Sequence, residues 1–244
     1  MKHSLMKIIA HRGDSTHHAE NTPASWSAGY SKGAHAVEAD IRFLRDGTGI
    51  CSHDPTLKRL FDRPERVEGL SIPELQGMGI GPEHVGLFAD VLRFAEAGRP
   101  IVLDLKDESP RALELIWEDI QAHVSVPRRH NVIVGCHSRK TVAFFAAKRQ
   151  VTILALMPNA NDGASFFAEG ATIIRLWESD VTDQRIRDLK ALGGDVWVTT
   201  GSGETDRRTG DTNGESLRFL SEARIDGVLV NDVALSKSLL EGLK

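Results

Sequence analysis

Along this chain, short β-type apolar runs alternate with longer amphipathic stretches. The short runs are "KIIA" (7–10), "HAVEADI" (35–41), "IVLDL" (101–105), "NVIVGC" (131–136), "VTILALM" (151–157), "TIIRL" (172–176), "DVWVTT" (195–200) and "DGVLV" (226–230). Helical patterns begin near Pro23, Leu87, Pro110, Ser138, Gly163, Val181 and Glu215, and a last one runs from Val233 to the C-terminus. Strict alternation of strand and helix predicts an α/β protein with a parallel sheet and its helices outside. Eight such units in 244 residues favour closure into a (β/α)8 TIM barrel over an open doubly wound sheet, with residues 1–244 as one domain.

Two segments exceed this plan. Residues 50–86 separate the second strand from its helix, and a βα loop of that length is expected to be a lid or binding element. The second, "GSGETDRRTGDTNG", follows the seventh strand. Its Gly201-Ser202-Gly203 lacks the full glycine fingerprint of a phosphate loop, so it is expected to be a flexible loop near the site. In "ENTPASW", Thr22 is a good N-cap and Pro23 suits the first helical position, which puts Glu20 and Asn21 on the loop above the first strand.

Composition removes several classes of function. The chain is 41% hydrophobic with a formal net charge of −4 and no long basic run, which argues against a nucleic-acid partner but leaves a small anionic substrate open. Cys51 and Cys136 lack CxxC spacing and sit in apolar runs, so they are expected to be buried thiols in a reducing cytoplasm. "MKHSLMK" contains no signal-peptide core, and no run approaches the ~18 apolar residues of a transmembrane segment.

Chemistry gathers at the strand ends. Side chains alternate along a strand, so Glu38 and Asp40 of "VEADI" share one face, as do Asp104 and Lys106 of "LDLK". At the C-terminal rim of a barrel they meet His11 and Arg12 of "AHRG". Three crowded carboxylates repel one another unless a cation neutralises them, and oxygen-only ligation favours Mg2+ or Ca2+. Glu38, Asp40 and Asp104 are therefore the expected metal ligands. Arg12 and Lys106 are expected to hold a phosphate, while His11 and His53 of "CSHD" serve as acid and base, either residue being able to take either role.

These residues resemble the pattern of the glycerophosphodiester phosphodiesterase family: His11-Arg12-Gly13, Glu20-Asn21-Thr22-Pro23, Glu38-Ala39-Asp40, Asp46-Gly47, His53-Asp54, then "LDLK" and "DGVLVND". The resemblance implies a TIM barrel and metal-dependent hydrolysis of glycerophosphodiesters to glycerol 3-phosphate and an alcohol. It also implies that His11 and His53 are catalytic, that Glu38 and Asp40 bind metal, that Lys106 touches phosphate, and that Trp197 walls the alcohol site. This chain departs from the pattern at Asp104, where the family usually has Glu, at "VWVTTG" in place of Trp-Thr-Val-Asn, and at "LKRLFDRPERVEGLS". Two alternatives follow. One is a phospholipase D-like enzyme of the same superfamily acting on lysophospholipids or sphingolipids, with Leu57, Leu60, Phe61, Leu70 and Ile72 as its lipid-facing surface. The other is a non-catalytic phosphate-binding barrel.

Overall fold

The computed structural model describes residues 6–202 and 205–243. Its strands are β1 (Lys7–Ala10), β2 (Ala36–Phe43), β3 (Gly49–Cys51), β4 (Ile101–Leu105), β5 (Val132–Cys136), β6 (Thr152–Ala155), β7 (Ile173–Trp177), β8 (Asp195–Thr199) and β9 (Gly227–Val230). All but β3 pair in parallel, and β1 bonds to both β2 and β9, which closes an eight-stranded barrel. The helices are α1 (Pro23–Ser31), α2 (Lys58–Phe61), α3 (Ile72–Gly77), α4 (Phe88–Glu96), α5 (Pro110–His123), α6 (Arg139–Lys148), α7 (Gly163–Glu169), α8 (Asp183–Ala191), α9 (Gly214–Glu222) and α10 (Val233–Glu241). The eight expected strands and eight expected helices are all present. Among the described residues no helix is long and apolar enough to cross a membrane.

Strand alternation divides the apolar side chains between two layers. Ile9, Val102, Ile133, Leu154, Trp197 and Leu229 fill the barrel interior. Val37, Ala39, Ile41, Leu103, Leu105 and Val134 face outward into the larger core beneath the helices. Both cysteines are buried and unpaired. Because the inward parity of β2 continues through Glu38 and Asp40, and that of β4 through Asp104, the carboxylates lie directly above the apolar interior.

The segment after β2, expected as a long βα loop, carries secondary structure of its own. Asp46 and Gly47 make a tight turn: Gly47 has φ +87°, and the Thr48 N–H donates to Asp46 Oδ1 at 2.9 Å. The chain then returns as β3, antiparallel to β2 with Cys51 opposite Ile41. Helices α2 and α3 follow, and the segment buries a core of its own from Leu44, Ile50, Leu57, Val67, Leu70 and Leu75. A three-residue strand gives almost no period-two signal, which is why the hairpin was invisible in the hydrophobic pattern. In the second long segment, Gly203 and residue 204 lie outside the described residues, as does most of the N-terminal "MKHSLMK".

Candidate active site

The turn after β1 is held in an uncommon backbone conformation. Arg12 has φ +58° and Gly13 φ +84°; a Cβ on Gly13 would lie 2.3 Å from Ser25 Oγ, so only glycine fits there. Left-handed backbone is unfavourable for arginine, and the surroundings fix it in place. The Arg12 carbonyl accepts from the Asn21 N–H at 3.0 Å and from Ser25 Oγ at 2.9 Å, while the Arg12 N–H donates to Glu38 Oε2 at 2.7 Å. Thr22 is the N-cap of α1 as expected, Ser25 completes a capping box with it, and Pro23 occupies the first turn. Asn21, also left-handed, grips β2 twice: its Nδ2 donates to Asp40 Oδ2 at 2.8 Å, and its Oδ1 accepts from the Asp40 N–H at 3.0 Å. Helix capping, the strained turn and the carboxylate rim thus form one connected unit.

Register brings the acids together. Asp40 lies opposite Asp104 in the β2–β4 ladder, and oxygens of Glu38, Asp40 and Asp104 all lie within 4.8 Å of one another. Burial, then the charges of Asp40 and Asp104, push the Glu38 carboxyl well above its usual range. Burial also opposes ionisation of the other two. Asp40 is nonetheless held low chiefly by Lys106, and Asp104 by its hydrogen bond to His137 and by Lys106. Lys106 Nζ lies 2.9 Å from Asp40 and 2.7 Å from Asp104; although burial disfavours its charge, the two carboxylates raise its pKa. Arg12 Nε lies 3.2 Å from Asp40, and its Nη1 lies 3.1 Å from Glu20. Lys106 thus pairs with Asp40 and Asp104, and Arg12 with Asp40 and Glu20, while among the described residues Glu38 has no ion-pair partner. That deficit, with only oxygen donors converging, fits a hard divalent cation.

The two histidines follow different strands, His11 after β1 and His53 after β3. His11 Nδ1 lies 2.8 Å from Asn231 Oδ1. Asn231 is itself oriented by Nδ2, which donates to the Thr209 carbonyl at 2.8 Å and to Asp211 Oδ1 at 2.9 Å. This network makes Nδ1 the protonated nitrogen of His11 and leaves Nε2 with a free lone pair. Burial, and then the neighbouring Arg12, lower the His11 pKa to about 4. His53 is delivered by β3: the Ser52 N–H donates to the Asp40 carbonyl at 2.9 Å, and Arg42 donates twice to the His53 carbonyl, at 3.1 and 2.9 Å. Its Nδ1 faces Asp54 Oδ1 at 2.9 Å. Arg59 of α2 bonds to both Asp54 and Glu20, which fastens the inserted segment to the turn after β1.

One cleft of about 230 Å3 at the C-terminal ends of the strands is lined by His11, Arg12, Glu38, His53, Asp104 and Lys106; Asp40 is joined to this lining through Lys106. Trp197 is placed elsewhere. It is 2% exposed, packs in the barrel interior against Gly227, where a Cβ would come within 3.0 Å of its ring, and has Lys7 over its face. The expectation that Trp197 walls the alcohol site is corrected accordingly: it lies one inward step below the rim on β8, Thr199 is the inward β8 residue that reaches the cleft, and the indole in the cleft is Trp177 of β7. Sequence reasoning also passed over His137, whose Nε2 lies 2.8 Å from Asp104 Oδ1, and Arg175 and Asn231. His137 and Asn231 carry the same signal as His11, a polar residue directly after an apolar strand. Arg175 interrupts "TIIRL" at an inward position.

The glycerophosphoryl diester phosphodiesterase family model matches residues 11–235. The chain belongs to that family. Curated relatives carry the glycerophosphodiester phosphodiesterase name over part of their length. The protein of Caldanaerobacter subterraneus subsp. tengcongensis is 32% identical over 74 residues, 30% of each chain. Glycerophosphodiester phosphodiesterase 1 of Homo sapiens is 36% identical over 79 residues, 32% of this chain and 24% of the human one. The matched stretch thus spans less than a third of these relatives. Solved structures extend the likeness in fold to almost the whole barrel. The glycerophosphodiester phosphodiesterase of Thermotoga maritima superposes with TM-score 0.78 at 20% identity, covering 96% of this chain and 98% of that one. An Oleispira antarctica phosphodiesterase in complex with the product sn-glycerol-3-phosphate superposes with TM-score 0.80 at 18% identity, covering 97% of each.

Proposed function

We propose that this member of the glycerophosphoryl diester phosphodiesterase family hydrolyses glycerophosphodiesters to glycerol 3-phosphate and an alcohol, using Mg2+ or Ca2+ held by Glu38, Asp40 and Asp104, in a reducing cytoplasm where its two thiols stay free. The observation that carries the reading is the convergence of His11, His53 and the buried acid cluster at one cleft. When bound, the cation would supply Lewis-acid polarisation of the phosphoryl oxygens. Arg12 and Lys106 border the same space and stabilise the charge that grows on those oxygens as the nucleophile attacks.

Proton transfer divides between two unlike histidines. His11, neutral at pH 7 and with Nε2 free, is suited to take the nucleophile's proton. His53 has an anionic partner in Asp54, where His11 has a neutral amide, and is assigned the protonation of the leaving alkoxide. The nucleophile is either water or the substrate's own neighbouring hydroxyl; a cyclic phosphate trapped in a single turnover marks the second route.

The phospholipase D-like alternative required an apolar surface over the mouth. Leu57 and Leu70 are instead buried, with Phe61 and Ile72 packed against the insertion's own core, and of the five only Leu60 is exposed. The free diester is therefore the preferred substrate over its acylated analogue. A diesterase assay with added Mg2+, Ca2+ or Mn2+ tests the proposal: His53→Ala and Glu38→Ala are each expected to lower turnover about a hundredfold or more. Binding of diesters without turnover under every metal would support the non-catalytic barrel instead.

A further inference from the structure

Arg12 and Lys106 are both committed to carboxylates, but a third cation in the cleft is not. Arg175, on the inward face of β7, is 7% exposed and lines the cleft. Its Nη1 is buried without a hydrogen-bond partner, and among the described residues no carboxylate lies within 4 Å of its guanidinium. A buried unpaired cation is costly, and proteins retain one where a ligand supplies the missing charge. Burial lowers its pKa to about 10, which leaves it charged at neutral pH. The guanidinium sits 3.9 Å from the centroid of the Trp177 ring, so the indole holds it flat and its own aromatic face is already taken.

Position in the barrel says which part of a substrate it meets. The acids stand on β2 and β4, whereas β7 lies well round the ring from both in the strand order. Between them the cleft floor is apolar, made by Val102, Leu154, Leu156 and Leu229. A diester with its phosphorus beside the acids would lay the carbon chain of one arm over that floor and bring the arm's end to Arg175. Resting on the diesterase reading above, we propose that Arg175, held by Trp177, selects diesters whose alcohol arm ends in a second anion, a phosphate monoester or a carboxylate, and discriminates against quaternary ammonium arms. A choline head would meet an unpaired cation and an occupied aromatic face.

The test uses four diesters of glycerol phosphate, with choline, glycerol, glycerate or glycerol phosphate as the second alcohol. Calorimetry on His53→Ala, which leaves the diesters intact, is expected to give affinities for the two anionic arms about tenfold or more above the neutral arm, with choline weakest. Adding Arg175→Gln should bring the series within about threefold, while Arg175→Lys keeps part of the preference. In the otherwise unaltered enzyme, Arg175→Gln should lower kcat/KM for anionic arms by about tenfold or more and leave the glycerol diester within about threefold. A uniform loss across all four diesters, or no arm preference in the starting protein, overturns the proposal. Graded binding without any hydrolysis would instead sink the diesterase reading and leave this one standing. Trp177→Leu provides a second variant that keeps the charge but frees the guanidinium, and it should weaken the preference without abolishing folding.

Discussion

The acid cluster makes a quantitative demand that does not depend on knowing the substrate. Glu38, Asp40 and Asp104 present oxygens within 4.8 Å of one another, and two unit charges at that separation repel by about 3.5 kcal/mol at an effective dielectric near 20. Glu38 feels two such neighbours. Arg12 and Lys106 offset part of this, leaving about 3 kcal/mol of strain in the ionised, metal-free protein. The sign with pH follows. A carboxyl whose folded pKa lies above its unfolded value binds more protons in the folded state. Metal-free stability should therefore fall as pH rises above about 4.5 towards that raised folded value. Glu38→Gln removes the charge, keeps the acceptor for the Arg12 N–H, and should abolish that slope.

Thermal melts read this directly. In EDTA at pH 8, Glu38→Gln should melt about 6–12 °C above the unaltered protein, since 1 kcal/mol moves Tm by about 2–4 °C at this size. Saturating Mg2+, Ca2+ or Mn2+ should invert the order: the unaltered protein gains about 4.1 kcal/mol at a thousand times Kd, more than the strain it carries, and the variant gains little. If Glu38→Gln melts below the unaltered protein in EDTA, the three acids are not in conflict and the electrostatic case for a cation fails.

Three further outcomes separate the roles of neighbouring residues. Trp197→Ala should cost about 3–5 kcal/mol of stability in denaturant titration by emptying the barrel interior, whereas Trp177→Ala should leave the unfolding midpoint within about 1 kcal/mol and raise KM. Asn231→Ala frees the His11 ring from its only side-chain hydrogen bond among the described residues, so kcat should drop about tenfold to a hundredfold with the protein still folded by circular dichroism. Arg59→Ala cuts the tie between α2, Glu20 and Asp54; because Arg59 is largely solvent-exposed, stability should barely move, while KM rises several-fold and limited proteolysis of 58–62 quickens.

What the sequence made legible was whatever repeats with the period of its element. Eight strands with apolar alternation specified the barrel, and the same alternation placed Glu38 with Asp40 and Asp104 with Lys106. The N-cap at Thr22 was equally readable, because Thr-Pro at a helix start is a local device. Features set by partners distant in the chain left no such trace. Asn231 orients His11 across 220 residues, and His137 reaches Asp104 across 33; each looks like an ordinary polar residue after a strand until the barrel closes.

The error at Trp197 shows where alternation must be combined with depth. Period two tells which side of the sheet a residue faces, and Trp197 and Thr199 face the same side. It does not tell how far up the barrel each one stands. Depth is set by the stagger between strands: Trp197 is level with Arg175 and Gly227, and the glycine leaves the space its indole fills. A large ring fits at that level only because the neighbouring strand β9 has no side chain there, and the smaller Thr199 then leaves room at the rim. Trp177 enters that room with Arg175 against its face. Bulk at the interior level of β8 is thus matched by its absence on β9, and the rim above carries an aromatic-backed cation, an arrangement that the hydrophobic pattern alone does not reveal.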